Sequence, residues 1–286
     1  MAAEGTDLVL TLSCPDRPGI VARVSQLLFE HGANIEESQQ FDDPRGGRYF
    51  MRIVFSVPRG STLGSFRAAF VPAAAEFGMT WEMWDARAPY RTLIMVSRFG
   101  HCLNDLLYRW RTGALNIEIP AIVSNHPDLA GLAAAYGIPY HHIPITPESK
   151  PSAEARLRSL VDELDIDLVV LARYMQVLSD DLSREMSGKI INIHHSFLPS
   201  FKGAKPYHQA FERGVKLVGA TAHYVTADLD EGPIIEQDVV RVDHRMTAED
   251  IVRAGEECEA HVLTRAVRWH SESRVLLNTD RTVVFS

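Results

Sequence analysis

A short apolar run that ends in polar residues, Ile191-Asn192-Ile193-His194, is the stretch of this sequence best suited to chemistry. In an extended segment residues two apart project from the same face, so Asn192 and His194 should face one way and Ile193 the other. An amide and a protonated imidazole that converge on one point can stabilise a carbonyl oxygen as it becomes an oxyanion. An asparagine and a histidine at a strand end can also cap backbone groups, and these two residues alone leave both roles open.

A second strand-like run, residues 217–225, leads into an acidic loop that closes with Gly232-Pro233. Glycine and proline constrain such a loop, so we expect Asp230 on a turn rather than on a solvated helix face. A carboxylate held there could orient His194 and take a proton from water. An aspartate in a turn often does no more than form the turn, so the spacing does not establish the pairing.

The chain resembles a known group of enzymes in several motifs, which are Asn192-Ile193-His194, Ser196-Phe197-Leu198-Pro199, His223-Tyr224-Val225 and the run from Asp228 to Ile235. Together these motifs resemble the signature of enzymes that handle the formyl group of 10-formyltetrahydrofolate. Two further stretches, residues 101–111 and 170–178, narrow the resemblance to the formyltetrahydrofolate deformylases. The likeness runs over nearly the whole chain and implies that Asn192, His194 and Asp230 are the catalytic residues.

The resemblance also implies a folate pocket between two loops. The loop after Ala172 corresponds to the one that flanks the pterin in these enzymes, and the acidic loop lines the other side. The implied substrate-binding residues are Arg173, Tyr174, Met175, Gln176, Val177, Asp228, Leu229 and His223. Without the resemblance, Met175 and Val177 would be taken for core residues and His223 for a buried, hydrogen-bonded histidine. Gln176 stands where the transformylases commonly carry arginine.

The implied reaction is hydrolysis of 10-formyltetrahydrofolate to tetrahydrofolate and formate, which would supply formate for purine biosynthesis and balance one-carbon pools. We assign Asn192 and protonated His194 to the oxyanion, and Asp230 to orienting His194 and accepting the proton of the attacking water. The scheme needs no metal and no organic cofactor. Two alternatives remain: a formyltransferase that passes the group to an amine, and a non-enzymatic sensor of amino acids or folate.

The loop Ser97-Arg98-Phe99-Gly100 bears on the first alternative. It has one glycine and a bulky phenylalanine, so it does not resemble a glycine-rich phosphate loop. Transferases that act on glycinamide ribonucleotide carry a Gly-Ser-Asn type of turn there, and its absence favours water over a phosphorylated amine as the acceptor. The presence of Asn192, His194 and Asp230 argues against the sensor.

Composition narrows the class of protein further. The 286 residues suffice for about two domains, and 29 basic against 37 acidic residues, without a block of like charge, favour neither nucleic acid nor a membrane surface as partner. Three cysteines without a C-x-x-C pair argue against a disulfide framework or structural zinc. The chain carries neither a signal peptide nor an apolar run of about 20 residues, so we expect a cytoplasmic protein.

Histidine pairs raise the question of a metal. Adjacent residues in a strand face opposite ways, so neither His141-His142 nor His194-His195 should chelate one ion. No H-x-x-x-H motif or carboxylate cluster accompanies them. We therefore expect no metal site.

The first 86 residues show a βαββαβ pattern, with strands near 7–13, 34, 49–55 and 79–85 and helices from 20 and over 61–77. This ferredoxin-like unit resembles an ACT domain, a module that often binds amino acids at dimer interfaces. The positions that match effector contacts are Asp16, Gly19, Ile20 and Asn34. Turn geometry alone also explains the Pro-Gly helix start, so an amino-acid effector is a hypothesis, and we expect a homo-oligomer.

Residues 87–286 alternate strands with helices at 103–112, 127–136, 152–164 and from 247. Such alternation predicts an α/β domain with a Rossmann-like, mostly parallel sheet, and the resemblance implies the formyltransferase fold. Ligands of these sheets bind beyond the carboxyl ends of the strands. The loops at 98–102, 173–178, 194–203 and 226–232 should therefore assemble one site.

Overall fold

The structure is a computed structural model that describes residues 6–200 and 206–286. The chain divides into two compact units. The first contains the residues up to Ala88 with Glu272–Asn278 and Val283–Ser286, and the second contains Pro89–Ser271 with Thr279–Thr282. The predicted boundary between two domains, after residue 86, stays a prediction. The two compact units are not the same as the predicted domains, because Glu272–Asn278 and Val283–Ser286 group with the first unit.

The first unit contains a four-stranded antiparallel sheet in the order β2-β3-β1-β4. Its elements are β1 (Thr6–Pro15), α1 (Ile20–Glu30), β2 (Asn34–Asp43), β3 (Arg48–Val57), α2 (Leu63–Phe77) and β4 (Thr80–Asp85). This is the predicted ferredoxin-like βαββαβ fold.

Local sequence explains both helices of this unit. Gly19, at φ 101°, turns the chain into α1, whose residues Ile20, Val24, Leu27 and Leu28 fall on one buried face. Thr62 and Ser65 form a reciprocal capping box at the start of α2, and Gly78 ends it in the left-handed conformation. Both helices contribute to a core with alternate residues of β1 and β3.

The C-terminus covers other residues of the same sheet. Strands β13 (Val275–Asn278) and β14 (Arg281–Val284) form a hairpin, and Leu276 and Phe285 pack on Phe50 of β3. Arg52, two residues further along β3, donates to the carbonyl of Glu272 at 3.0 Å and pairs with Glu37 at 2.9 Å. Phe50 and Arg52 alternate with the core residues Met51 and Ile53, so they project from the opposite face of β3.

The second unit is built on an eight-stranded sheet. Its strands are β5 (Tyr90–Val96), β6 (Ile117–Glu118), β7 (Ile122–Ser124), β8 (Tyr140–His142), β9 (Leu168–Leu171), β10 (Ile190–His194), β11 (Leu217–Tyr224) and β12 (Ile234–Arg241). The order is β12-β11-β10-β9-β5-β7-β8, with β6 paired to β5. Strands β5 to β10 pair in parallel, whereas β11 and β12 are antiparallel, which confirms the mostly parallel sheet.

The helices of this unit are α3 (His101–Arg111), α4 (Ala130–Ala135), α5 (Lys150–Glu163), α6 (Asp180–Glu185), α7 (Pro206–Glu212) and α8 (Ala248–Ser271). The predicted helices correspond to α3, α4, α5 and α8, although α4 begins three residues late. Thr247 and Asp250 cap the start of α8 reciprocally, since each backbone N–H donates to the other side chain. Short elements such as β6, α6 and α7 were not predicted, because they are too brief to show a period. Among the described residues, none of the helices combines the length and apolarity needed to span a membrane.

Candidate active site

Strand β10 carries Asn192 and His194 to the carboxyl edge of the sheet. It lies between β9, which is parallel to it, and β11, which is antiparallel. Asn192 is opposite His223 in the β10–β11 register, so the two side chains are cross-strand neighbours. The sheet register, rather than any local motif, therefore brings this second histidine to the site.

The acidic loop places Asp230 against His194, with 3.2 Å between Asp230 Oδ2 and His194 Nδ1. Asp230 has a φ of 57°, a left-handed conformation that aspartate and asparagine adopt more readily than most residues. Gly232 fixes the loop from the other end, because a Cβ there would lie 1.7 Å from the carbonyl oxygen of Tyr224. The expected constraint by Gly-Pro is thus a close backbone approach that only glycine permits.

His223 orients the amide of Asn192. Its Nδ1 lies 2.9 Å from the Tyr224 carbonyl oxygen, which can only accept, so Nδ1 carries the proton. In the neutral ring Nε2 is then an acceptor, and Asn192 Nδ2 donates to it at 3.2 Å. His223 is 2% exposed. The structure therefore gives this residue the buried, hydrogen-bonded character expected of it without the resemblance, and its contact with Asn192 is an addition.

Asp230 lies between two imidazoles, since His223 Nε2 is 3.7 Å from its second oxygen. Burial alone would raise the pKa of the Asp230 carboxyl. The hydrogen bond and the charge of His194 outweigh that effect and hold its pKa well below the usual range. The carboxylate therefore stays anionic, which makes it a strong partner for a cationic His194 and a weak proton acceptor.

His194 is left with one free nitrogen. Its side chain is 7% exposed, Nδ1 faces Asp230, and Nε2 is buried without a hydrogen-bond partner among the residues that the structure describes. Because a buried donor without a partner is costly, Nε2 is the atom suited to bond a substrate oxygen. Asn192, with one amide hydrogen used by His223, has its second hydrogen available in the same cavity.

A cavity of about 670 Å³ opens at this edge of the sheet. All of the predicted catalytic and substrate-binding residues line it, namely Arg173, Tyr174, Met175, Gln176, Val177, Asn192, His194, His223, Asp228, Leu229 and Asp230. Met175, Val177 and Leu229 are between 50% and 63% exposed, so they are not core residues, whereas Tyr174 is buried. Apolar side chains left open around a polar centre suit a flat ring with a reactive amide.

The cavity also has residues that the sequence analysis did not single out as site residues, among them Phe99, His195, Tyr207 and Glu259. Glu259 in α8 is fully buried and accepts from His101 Nε2 at 2.8 Å and from Tyr207 Oη at 2.7 Å, with Arg173 Nε at 3.2 Å. The sequence feature that could have identified Glu259 is its place among the apolar positions of a long helix. A carboxylate is almost never buried without partners, so a glutamate there indicates a polar network.

The histidine pair departs from expectation. The rings of His194 and His195 do not face opposite ways but stack, with centroids 5.1 Å apart and planes at 27°. The reason is that β10 ends at His194, so the alternation of a strand no longer applies to His195. Residues 201–203, which were also predicted to belong to this loop of the site, lie outside the described residues.

Among the described residues, His101, Cys102 and Glu259 have the spacing of a metal-ligand group. Both oxygens of Glu259 are already bonded and Arg173 lies beside it, while burial raises the pKa of the Cys102 thiol well above its usual value. A neutral thiol and a neighbouring guanidinium oppose a bound cation. The expectation of no metal stays a prediction.

Two of the effector positions of the first unit, Asp16 and Gly19, lie at the start of α1, whereas Asn34 begins β2 beyond the other end of that helix and pairs with Ser56 at the opposite end of the sheet. Asp16, Gly19 and Asn34 are exposed, whereas the side chain of Ile20 is 2% exposed and belongs to the core. Ile20 could therefore contact an effector only through its backbone. The structure leaves the hypothesis of an amino-acid effector open.

Comparison with known proteins agrees with this architecture. The family model described as ACT domain matches residues 8–63, and the one described as Formyl transferase matches residues 90–267. A formyltetrahydrofolate deformylase from Corynebacterium sp. (strain P-1) is 55% identical over 279 residues, which cover 96% of this chain and 97% of the relative. One from Bacillus subtilis (strain 168) is 49% identical over 97% of this chain and 93% of the relative.

The likeness extends to three dimensions. The crystal structure of a formyltetrahydrofolate deformylase from Pseudomonas syringae pv. tomato str. DC3000 matches with a TM-score of 0.95 at 49% identity, covering 100% of this chain and 96% of that one. An ACT domain precedes a formyl transferase domain whose sheet edge joins Asn192, His194 and Asp230. The chain belongs to the formyltetrahydrofolate deformylase family.

Proposed function

We propose that this chain hydrolyses 10-formyltetrahydrofolate to tetrahydrofolate and formate at the cavity of the second unit. The observation that carries the proposal is the connected set Asn192–His223–Asp230–His194, which presents an amide N–H and an imidazole nitrogen to one cavity. These are the two donors that an N-formyl oxygen needs as it becomes negative.

The reaction adds water to the formyl carbon and breaks the bond from that carbon to N10. Asn192 and protonated His194 bond the oxyanion of the tetrahedral intermediate. Asp230 accepts the proton of the attacking water, through an intervening water, while His194 donates its proton to the departing N10. Since the pKa of Asp230 is depressed, it holds that proton only briefly and returns it to His194, which restores the starting state.

The pterin, in this proposal, lies between the loop at 173–178 and the loop at 225–230, against Met175, Val177 and Leu229. Their open apolar surface supports this placement. The reaction requires neither metal nor organic cofactor, so dialysis against EDTA should leave the rate unchanged. Formate released in this way would feed purine biosynthesis and balance one-carbon pools.

The test is incubation with 10-formyltetrahydrofolate in the absence of any amine, with tetrahydrofolate and formate both quantified. Equal amounts of the two products support hydrolysis. Release of tetrahydrofolate only when an amine is added, with the formyl group recovered on that amine and no formate formed, would favour the transferase. Absence of turnover together with folate binding would favour the sensor.

We also propose that the first unit binds an amino acid near Asp16 and Gly19 and that the protein forms a homo-oligomer in the cytoplasm. The ACT domain match and the exposure of these residues support the first part. Calorimetric titration with single amino acids, compared with an Asp16→Ala variant, tests it. Light scattering measures the oligomeric state.

A further inference from the structure

We propose that His195 is a positioning residue, which stays neutral beside His194 so that the stacked imidazole pair carries one proton and that proton belongs to His194. The inference rests on the hydrolysis proposed above, because that reaction needs a cationic His194. It adds a residue to which the proposed mechanism gives no role.

The geometry of the pair is the first support. The two rings stack at 5.1 Å between centroids and 27° between planes, and both side chains line the cavity. An aromatic face attracts a neighbouring cation, whereas two stacked imidazolium ions would repel each other. A neutral His195 therefore stabilises a protonated His194, and a charged His195 would oppose it.

The hydrogen bonds of the pair are the second support. His194 Nδ1 lies 3.2 Å from the Asp230 carboxylate, which favours the cation on that ring. His195, in the part of the chain that the structure describes, makes no hydrogen bond to a carboxylate that would hold a proton on it. When the pair of rings carries a single positive charge, that charge is therefore on His194.

The surrounding charges are the third support. The groups that face His195 come from five elements, and they are His194 of β10, Arg173 after β9, Glu259 of α8, Asp230 after β11 and Tyr207 of α7, whose ring is 6.3 Å away. Burial, followed by the charge of Arg173, lowers the pKa of His195 to about 4, although Glu259 and Asp230 act in the opposite direction. Glu259 itself accepts hydrogen bonds from His101 and Tyr207 and forms an ion pair with Arg173, so its negative charge is shared.

After burial, the charge of Arg173 is the largest influence that keeps His195 neutral. The Arg173 side chain is 10% exposed, lies 3.2 Å from Glu259 and stands over the Phe99 ring at 5.3 Å. These contacts hold its charge in place near the imidazole pair. A variant without this charge should let His195 take up a proton at a higher pH.

The direct test is an NMR titration of the wild-type protein with ¹³C-labelled histidines, in which His195 is assigned by the resonance that disappears in His195→Phe. We expect His195 to stay neutral down to a pH of about 5, well below the value of about 6.5 for an ordinary imidazole. A protonation midpoint of about 6 or above would overturn the proposal. This measurement needs no turnover, so it is independent of the proposed reaction.

The second test measures the acid limb of kcat against pH in Arg173→Met, Arg173→Lys and the double variant Arg173→Met/His195→Phe. The limb should move to higher pH by about one unit in Arg173→Met. It should keep its position in Arg173→Lys, which retains the charge, and in the double variant, which has no second imidazole to protonate. An equal movement with and without His195 would show that Arg173 does not act through His195 and would overturn the proposal.

Discussion

His194 at the end of β10 lies against Asp230 in the loop after β11, with 3.2 Å between His194 Nδ1 and Asp230 Oδ2. Among the described residues, Nε2 of His194 has no hydrogen-bond partner. Because Asp230 fixes one ring nitrogen, it decides which nitrogen the substrate meets. The same carboxylate approaches His223, which in turn orients Asn192. Asp230 thus fixes the His194 donor of the proposed oxyanion site, and His223 fixes the Asn192 donor.

Replacing Asn192 by alanine should lower kcat about 10²–10³-fold, because one of two oxyanion donors is lost. Folate affinity should change little, since the bond forms mainly in the transition state. Steady-state kinetics and equilibrium titration with a non-hydrolysable folate analogue separate the two effects. Asn104→Ala, at an exposed asparagine of α3 that does not line the cavity, is the matched control. A loss of affinity without loss of kcat would assign Asn192 to ground-state binding.

Glu259→Gln should destabilise the second unit by about 3–5 kcal/mol, because it leaves the buried Arg173 charge without its anion. Glu163→Gln is the matched control, since Glu163 pairs with Arg156 on the surface with side chains 57% and 46% exposed. That change should cost about 0–1 kcal/mol. Urea unfolding of both variants gives the comparison. Equal effects would mean that the network around Glu259 contributes little to stability.

The hairpin of β13 and β14 packs on the sheet of the first unit, so replacing its buried phenylalanine by alanine should destabilise the protein more than replacing an exposed one. Phe285 is 7% exposed and packs on Phe50, whereas Phe29 on α1 is 81% exposed. Phe285→Ala should cost about 3–5 kcal/mol of stability, although a residue in a terminal segment can fall below that range. Phe29→Ala should stay within about 0.5 kcal/mol of wild type. Thermal or urea unfolding measures both, and similar values would show that the hairpin does not stabilise this unit.

Because His270 is buried, we expect the free energy of unfolding to depend on pH in the acid range. His270 bonds the Tyr224 hydroxyl at 2.7 Å and packs on Tyr90, and burial lowers its pKa to about 4. The unfolded chain, with a pKa of about 6.5, binds more protons between these values, so stability should fall as the pH drops from 6.5 towards 4. His270→Asn, which can still accept from Tyr224, should flatten that slope, with the remainder due in part to His195. Unfolding midpoints at a series of pH values test this, and an unchanged slope would contradict it.

The arrangement of helices and strands followed from periodicity, and the position of the site followed from topology. Alternating strands and helices implied a parallel sheet, and such strands end at one edge, so the loops after β9, β10 and β11 were expected to meet. The structure brings the predicted catalytic and folate-contacting residues to one cavity for this reason. The turn into α1 could also be predicted, because Gly19 stands where left-handed backbone is needed.

Contacts between distant segments were beyond such reasoning. The partners of Glu259 lie in α3, in α7 and after β9, and no periodicity encodes that meeting. The stack of His195 on His194 depends on where β10 ends, which pattern reading locates only to within a few residues. The packing of Phe285 on Phe50 joins the two ends of the chain and could not be inferred from either end alone.

The most direct measurement is the turnover of Asp230→Asn on 10-formyltetrahydrofolate beside its affinity for a folate analogue. Asparagine tolerates the left-handed backbone at this position, so the loop should persist while the charge is removed. We predict that kcat falls about 10²–10⁴-fold with affinity nearly unchanged. Turnover close to that of the wild type would contradict the claim that the Asp230 carboxylate orients His194 and accepts the proton of the attacking water.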